Sequence, residues 1–169
     1  MVNTRIYTRP DGNAQNVYIN GRLYAAEQPR PRNVGVPTRC TPSLRYPCPE
    51  SVLDGSRLQP YVHDCTARVK DGRHVYDFVV FFKNHRYLPL STSLRSLTNA
   101  AVRGDIVIMR LGTHGRVVNL RQRDSALADF VITRFLEAAP IKQHLRTKRT
   151  LCFERMPVRR SRRKNTQYE

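Results

Sequence analysis

The stretch Tyr61-Val62-His63-Asp64-Cys65-Thr66-Ala67-Arg68-Val69, continued by Lys70-Asp71-Gly72-Arg73 and then by His74-Val75-Tyr76-Asp77-Phe78-Val79-Val80-Phe81-Phe82, decides the fold. In its first part Tyr61, His63, Cys65, Ala67 and Val69 fall on one side and Asp64, Thr66 and Arg68 on the other, the period-two pattern of a half-buried strand. Asp71-Gly72 supplies a tight turn. In the second part Tyr76, Phe78, Val80 and Phe82 share one side, while Val75, Val79 and Phe81 are apolar on the other. A strand apolar on both sides belongs in the middle of a sheet, covered on both faces. The expectation is an antiparallel hairpin at the heart of the molecule.

Downstream, Ser91 to Val102 reads as a short helix. Ser91 or Ser93 can cap it, Leu94, Leu97 and Ala101 form its apolar stripe, and Gly104 can end it. A second hairpin is expected from Asp105 to Leu120, turning through Gly112-Thr113-His114-Gly115. A second helix follows from about Ser125 to Ala139, with Asp124 at its N-cap, an apolar stripe of Leu127, Phe130, Val131, Phe135 and Ala138, and Pro140 as a stop. The order hairpin, helix, hairpin, helix predicts an α+β fold: an antiparallel sheet in ββαββα order with its helices packed on one face.

Upstream, Val17-Tyr18-Ile19-Asn20-Gly21-Arg22-Leu23-Tyr24 predicts a small hairpin, because Asn-Gly suits a turn whose two central residues need positive φ. Residues 28–60 hold seven of the eleven prolines and read as an irregular arm, since proline fixes φ and removes a ladder donor. The expected organisation is an N-terminal hairpin and proline-rich arm over 1–57, a folded domain over 58–139 and a basic tail over 140–169.

The chain has 169 residues, with 30 basic and 13 acidic side chains, for a net charge of +17. The excess is +4 over residues 1–60, +5 over 61–139 and +8 over 140–169. Such a field concentrates polyanions and speeds encounter with them. Of the basic residues 25 are Arg and 5 Lys. Arginine binds phosphate with a planar fork and stacks on bases, although a GC-rich genome also enriches it. The N-terminus lacks the apolar run of a secretory signal. The longest apolar stretch, Phe78 to Phe82, is too short to span a bilayer, so no transmembrane segment is expected. The chain therefore reads as intracellular, nuclear or cytoplasmic, with reduced thiols.

The sharpest local signal is Arg159-Arg160-Ser161-Arg162-Arg163-Lys164, with Lys148-Arg149 upstream. Dense like charge repels itself and binds anions. Lys148, Arg149, Arg159, Arg160, Arg162, Arg163 and Lys164 are the candidate nucleic-acid-binding residues. The gap from Thr150 to Val158 is a little short for a bipartite import signal. Phosphorylation of Ser161 is one way to lower the charge of this run. Tyr76, Phe78, Phe81 and Phe82 have the spacing of core residues rather than of a stacking surface. Tyr18 and Tyr24, near Arg22 and Arg30, are the better stacking candidates. Cys40, Cys48, His63 and Cys65 lack the close ligand pairs of a structural zinc site. His114 sits in a glycine-flanked turn where backbone N–H groups can hold an anion. No nucleophile elbow, catalytic cysteine context, dinucleotide fingerprint or phosphate-cradling loop is present, so neither metal nor cofactor is expected.

Tyr76-Asp77-Phe78-Val79-Val80-Phe81-Phe82-Lys83, Arg103-Gly104-Asp105-Ile106-Val107-Ile108-Met109-Arg110, and Val118-Asn119-Leu120-Arg121 with Asp124 and Ala128-Asp129 resemble small uncharacterised proteins of mushroom-forming fungi. The resemblance spans roughly residues 61–136. It implies a fungal, intracellular protein and carries no activity, ligand or site.

The reading that best fits these features is a non-enzymatic, nucleic-acid-associated protein that binds polyanions through an Arg-rich surface and tail. One alternative is an interaction module for acidic protein partners. Another is a lineage-specific protein whose charge follows genome composition. The least favoured is an enzyme acting on a phosphorylated substrate through Asp64, Asp77, Lys83 or His85.

Overall fold

The computed structural model describes residues 6–8, 15–40, 45–53, 62–83, 85, 87–98, 101–138 and 150–155. Nine strands form one sheet: β1 (Ile6–Thr8), β2 (Gln15–Tyr24), β3 (Arg32–Cys40), β4 (Arg45–Pro47), β5 (His63–Asp71), β6 (His74–Phe82), β7 (Ile106–Leu111), β8 (Val117–Val118) and β9 (Leu151–Arg155). Seven of them run in the order β4-β3-β2-β7-β6-β5-β9, with β1 beside β2 and β8 beside β7. Every pairing is antiparallel except that of β9, which lies parallel to β5. Two α-helices, α1 (Thr92–Thr98) and α2 (Ser125–Ala138), and three single 3-10 turns lie among the described residues.

The expected central hairpin forms. β5 and β6 pair in full register from His63↔Phe82 to Asp71↔His74, and Gly72 takes the positive φ of 61° that the turn requires. β6 lies between β5 and β7, as its two-sided apolar pattern demands. One side of it, Phe78, Val80 and Phe82, enters a core with Cys65, Ala67, Val69, Ile106, Ile108 and the α2 residues Leu127, Val131, Ile132 and Phe135. The other side, Val79 and Phe81, enters a second core with Ile19, Leu23, Val36, Leu53, Val107 and Met109.

The second core overturns the expected architecture. An α+β body of ββαββα order with helices packed on one face, flanked by an irregular arm and a basic tail, does not describe the molecule. Strands predominate, in a curled mixed sheet, and only two helices occur among the described residues. Three local causes explain the difference.

First, Asn20-Gly21 is not a turn. Neither residue has positive φ, and β2 runs straight through them. Gly21 instead permits close approach: a Cβ there would lie 3.0 Å from the Ile108 carbonyl oxygen and 3.1 Å from Met109 Cγ. At this point β2 parts from β7. Beyond it Asn20 N–H donates to Asn119 Oδ1 (2.9 Å), and Leu120 N–H donates to the Asn20 carbonyl (2.9 Å).

Second, residues 32–40 of the proline-rich arm form β3. Val34, Val36 and Thr38 alternate toward the second core beneath the proline signal, with Val36 and Thr38 buried. The carbonyl of Pro37 accepts the Cys48 N–H at 2.7 Å, and Leu53 plugs the same core from the turn after Pro49.

Third, Leu151–Arg155 of the basic segment is a strand. Leu151 and Phe153 pack on the first core, while Cys152 and Glu154 face solvent. β9 thereby covers the edge of β5, which would otherwise be open.

α1 does not reach Ala101 and Val102, which the expectation included, and Ser91 Oγ accepts the Leu94 N–H. The second spans Ser125–Ala138 as the pattern predicts.

Candidate nucleic-acid interface

Two part-buried arginines, Arg22 and Arg110, meet carboxylates. Asp129, on the inner face of α2, accepts Nε and one Nη of Arg22 at 2.7 and 2.9 Å and the hydroxyl of Tyr24 at 2.6 Å. Burial opposes the charge on Arg22, but its bond to Asp129 and the carboxylate charge outweigh that and raise its pKa. Burial, then the charge of Asp129 and the bond to it, push the Tyr24 phenol well above its usual pKa. Tyr24 is therefore a locked, neutral core residue rather than the stacking surface its neighbours Arg22 and Arg30 suggest. Tyr18 is half-buried.

Asp124 is drawn inward in the same way. The Arg110 guanidinium reaches its carboxylate at 2.7 Å and also lies over the Tyr76 ring, 5.1 Å from its centre. The Arg121 N–H donates to the same carboxylate, at 3.4 Å. On the outer faces, Arg68 binds Asp77 through two bonds, which raise its pKa. Lys70–Glu154, Arg155–Asp71 and Arg134–Glu137 are looser exposed pairs of 3.6, 3.6 and 3.0 Å. Such pairs contribute about 0–1 kcal/mol each.

Glu27, Glu50 and Asp64 are exposed as well, but exposed arginines outnumber them among the described residues. Arg32, Arg73, Arg95, Arg116 and Arg121 are exposed and form no ion pair among the described residues. The densest ordered group is the segment from Arg116 to Arg123. Arg116, Arg121 and Arg123 are exposed, while the backbone between them is fastened by buried Leu120, by Asn119 and Asn20, and by Asp124. Arg123 keeps only a long contact of 3.9 Å to Asp124. Beside it, exposed Gln122 accepts a bond from Asn33 on β3 at 2.8 Å. Arginines on a fastened backbone next to exposed amides suit phosphate and sugar contacts, since little backbone ordering remains to be done on binding. The sequence reading missed this segment because its three arginines are not contiguous; the signal was the Gly-Arg and Arg-x-Arg spacing around a single buried leucine.

Lys148, Arg149, Arg159, Arg160, Arg162, Arg163 and Lys164 lie outside the described residues. The structure fixes where the chain is tethered between them: β9 joins the sheet at Leu151 beside Ala67 and leaves it at Arg155 beside Asp71. Five of the nine residues between the two basic runs are thus held in the sheet.

Asp64, Asp77, Lys83 and His85 do not converge. Asp64 pairs with Phe81 and Asp77 with Arg68, which separates the carboxylates by about 13 Å along the strands. Lys83 is buried at the end of β6, and the His85 ring rests against Tyr87 at 5.1 Å. Among the described residues no group of three or more His, Cys, Asp or Glu side chains could hold a metal ion. The thiols of Cys65 and Cys48 are pushed up, first by burial and then by Asp64 and Glu50 respectively, the direction opposite to that of an activated thiol. Phe78 and Phe82 are core, and Tyr76 and Phe81 pack against it, as their spacing predicts. His114 is exposed, at a φ of 60°. No described helix is long and apolar enough to cross a membrane.

Comparison with protein-family models, with curated proteins and with solved structures returns no match.

Proposed function

We propose that the protein associates with nucleic acid without catalysing a reaction on it, gripping the phosphate backbone through arginines in a largely sequence-independent way. The observation that carries this reading is the charge surplus. With 30 cations against 13 carboxylates, +17 persists whatever pairing occurs inside the molecule. The best-placed carboxylates, Asp124 and Asp129, turn inward onto Arg110 and Arg22, and Asp124 keeps only a 3.9 Å contact with the outer Arg123.

In this reading Lys148, Arg149, Arg159, Arg160, Arg162, Arg163 and Lys164 supply most of the binding, and Arg116, Arg121 and Arg123 add ordered contacts from the body. Neutralising phosphates releases condensed counterions, so affinity falls as salt rises. The test replaces Arg159, Arg160, Arg162, Arg163 and Lys164 together by Gln and titrates a labelled duplex by filter binding. Each lost phosphate contact lowers the salt slope by about one, so the variant should lose roughly four to five units of slope. An unchanged slope would remove the tail from the account. A pull-down with and without nuclease separates acidic protein partners, which survive digestion, from partners bridged by nucleic acid.

A further inference from the structure

Three chain segments come together at one end of the sheet. β5 turns into β6 there through Gly72-Arg73, with Asp71 opposite His74. β7 runs antiparallel to β6, its last residue Leu111 opposite Asp77, and continues toward the same end into the turn Gly112–Arg116. Gly112 N–H closes that turn by donating to the Arg116 carbonyl at 2.7 Å. β9 runs parallel to β5 and leaves the sheet at Arg155, beside Asp71. The strands that reach this end lie in the order β9-β5-β6-β7-β8, so at roughly 4.8 Å per strand it is about 19 Å wide.

The carboxylates near this end are already taken. Asp71 pairs with Arg155 at 3.6 Å, Glu154 with Lys70 at 3.6 Å and Asp77 with Arg68 at 2.7 Å. No acidic residue occurs from Gly72 to Tyr76 or from Gly112 to Arg116. Arg73 and Arg116, one in each turn, are exposed and meet no carboxylate among the described residues. The basic run is tethered here as well. The peptide steps from Arg155 to Arg159 reach about 14 Å at most, whatever path they take.

We propose that this end of the sheet is the docking surface for the phosphate backbone, with Arg73 and Arg116 gripping it from the body and the run from Arg159 to Lys164 closing on the same stretch. The proposal rests on the nucleic-acid reading above and deepens it, by placing the ligand and by adding Arg73 to the contacts. Phosphates of one duplex strand recur every ~3.4 Å along the axis, so an end of this width faces several of them. The field of the whole chain draws a polyanion toward any part of the surface. A docking end makes position, and not charge alone, decide which arginines count.

Arg95 supplies the contrast. It is exposed on α1, whose Thr92 N–H donates to the Ala26 carbonyl at 3.0 Å, just past Tyr24. Tyr24 pairs with Ile106, and Ile106 with Phe82, so α1 starts at the far end of β6. β6 is nine residues long and separates the two ends by about 26 Å. Arg73→Gln, Arg116→Gln and Arg95→Gln each remove one charge. A short labelled duplex is titrated by filter binding at several salt concentrations against the full chain and each variant. Arg73→Gln and Arg116→Gln should each lower the salt slope by about one, and Arg95→Gln by under about 0.3. Arg73→Lys and Arg116→Lys keep the charge and should keep the slope. All of these side chains are exposed, so urea midpoints should coincide with wild type, which separates lost contacts from misfolding. If Arg95→Gln lowers the slope as much as the other two, or none of the three lowers it, the docking end is overturned and the charge-based reading stands. A wild-type chain that binds no duplex at low salt overturns both.

Discussion

Replacing Asp129 by Ala should cost far more stability than removing an exposed carboxylate such as Glu137. Asp129 receives two bonds from Arg22 and one from Tyr24, joining α2 to β2 across more than a hundred residues of sequence. The Arg22 side chain is 13% exposed, that of Asp129 is 28% exposed, and Tyr24 is fully buried. Removing one partner of a buried pair typically costs 3–5 kcal/mol, and a buried hydroxyl left unbonded costs about 1–3. Partial exposure of the carboxylate lets water reach Arg22 and reduces the first figure, so a total of about 3 kcal/mol is expected. For a chain of this length that lowers Tm by about 6–12 °C. Glu137→Ala, which breaks the exposed pair with Arg134, is the matched control and should change stability by under about 0.5 kcal/mol. Equilibrium urea unfolding of the three proteins reads both values. If Asp129→Ala falls within about 0.5 kcal/mol of wild type, the Arg22–Tyr24–Asp129 cluster is not the fastening it is described to be.

Phe135→Ala removes a fully buried ring packed 5.7 Å from Phe82 and should cost about 3–5 kcal/mol in the same assay. Gly21→Ala places a Cβ against the backbone oxygen of Ile108 and should cost about 1–3 kcal/mol; a neutral result would contradict the close crossing of β2 and β7. The Tyr24 phenol is raised above its ordinary value of 10.0, so its contribution is fully present below about pH 10 and is lost as pH rises through the folded value. Urea midpoints measured from about pH 8 to about pH 11 should fall at the alkaline end, and Tyr24→Phe should flatten that fall.

The parts of the fold legible in the sequence are those whose partners lie close by. The β5–β6 hairpin announces itself because alternation, turn residue and return strand occupy one continuous stretch, and α2 because Leu127, Val131 and Phe135 repeat at helical spacing. The illegible parts depend on distant neighbours. Asn20-Gly21 has the composition of a turn, but its conformation is set by β7, more than eighty residues away, which needs the missing side chain rather than positive φ. Val34, Val36 and Thr38 carry a strand pattern that Pro29, Pro31 and Pro37 obscure. Leu151 and Phe153 become a strand only because β5 offers an edge, and the surrounding basic residues hide them. The candidate interface follows the same division. Net charge and the contiguous run at 159–164 are visible in one dimension. The exposure of Arg116, Arg121 and Arg123 depends on which carboxylates and apolar residues the fold turns inward.

The slope of log affinity against log salt for the full chain on a short duplex bears most directly on the central claim. Seven phosphate contacts from Lys148, Arg149, Arg159, Arg160, Arg162, Arg163 and Lys164 predict a slope of about −6, and so a loss of roughly a thousandfold or more in affinity between 50 and 200 mM salt. No measurable binding at the lower concentration, or an affinity that salt leaves unchanged, would contradict it.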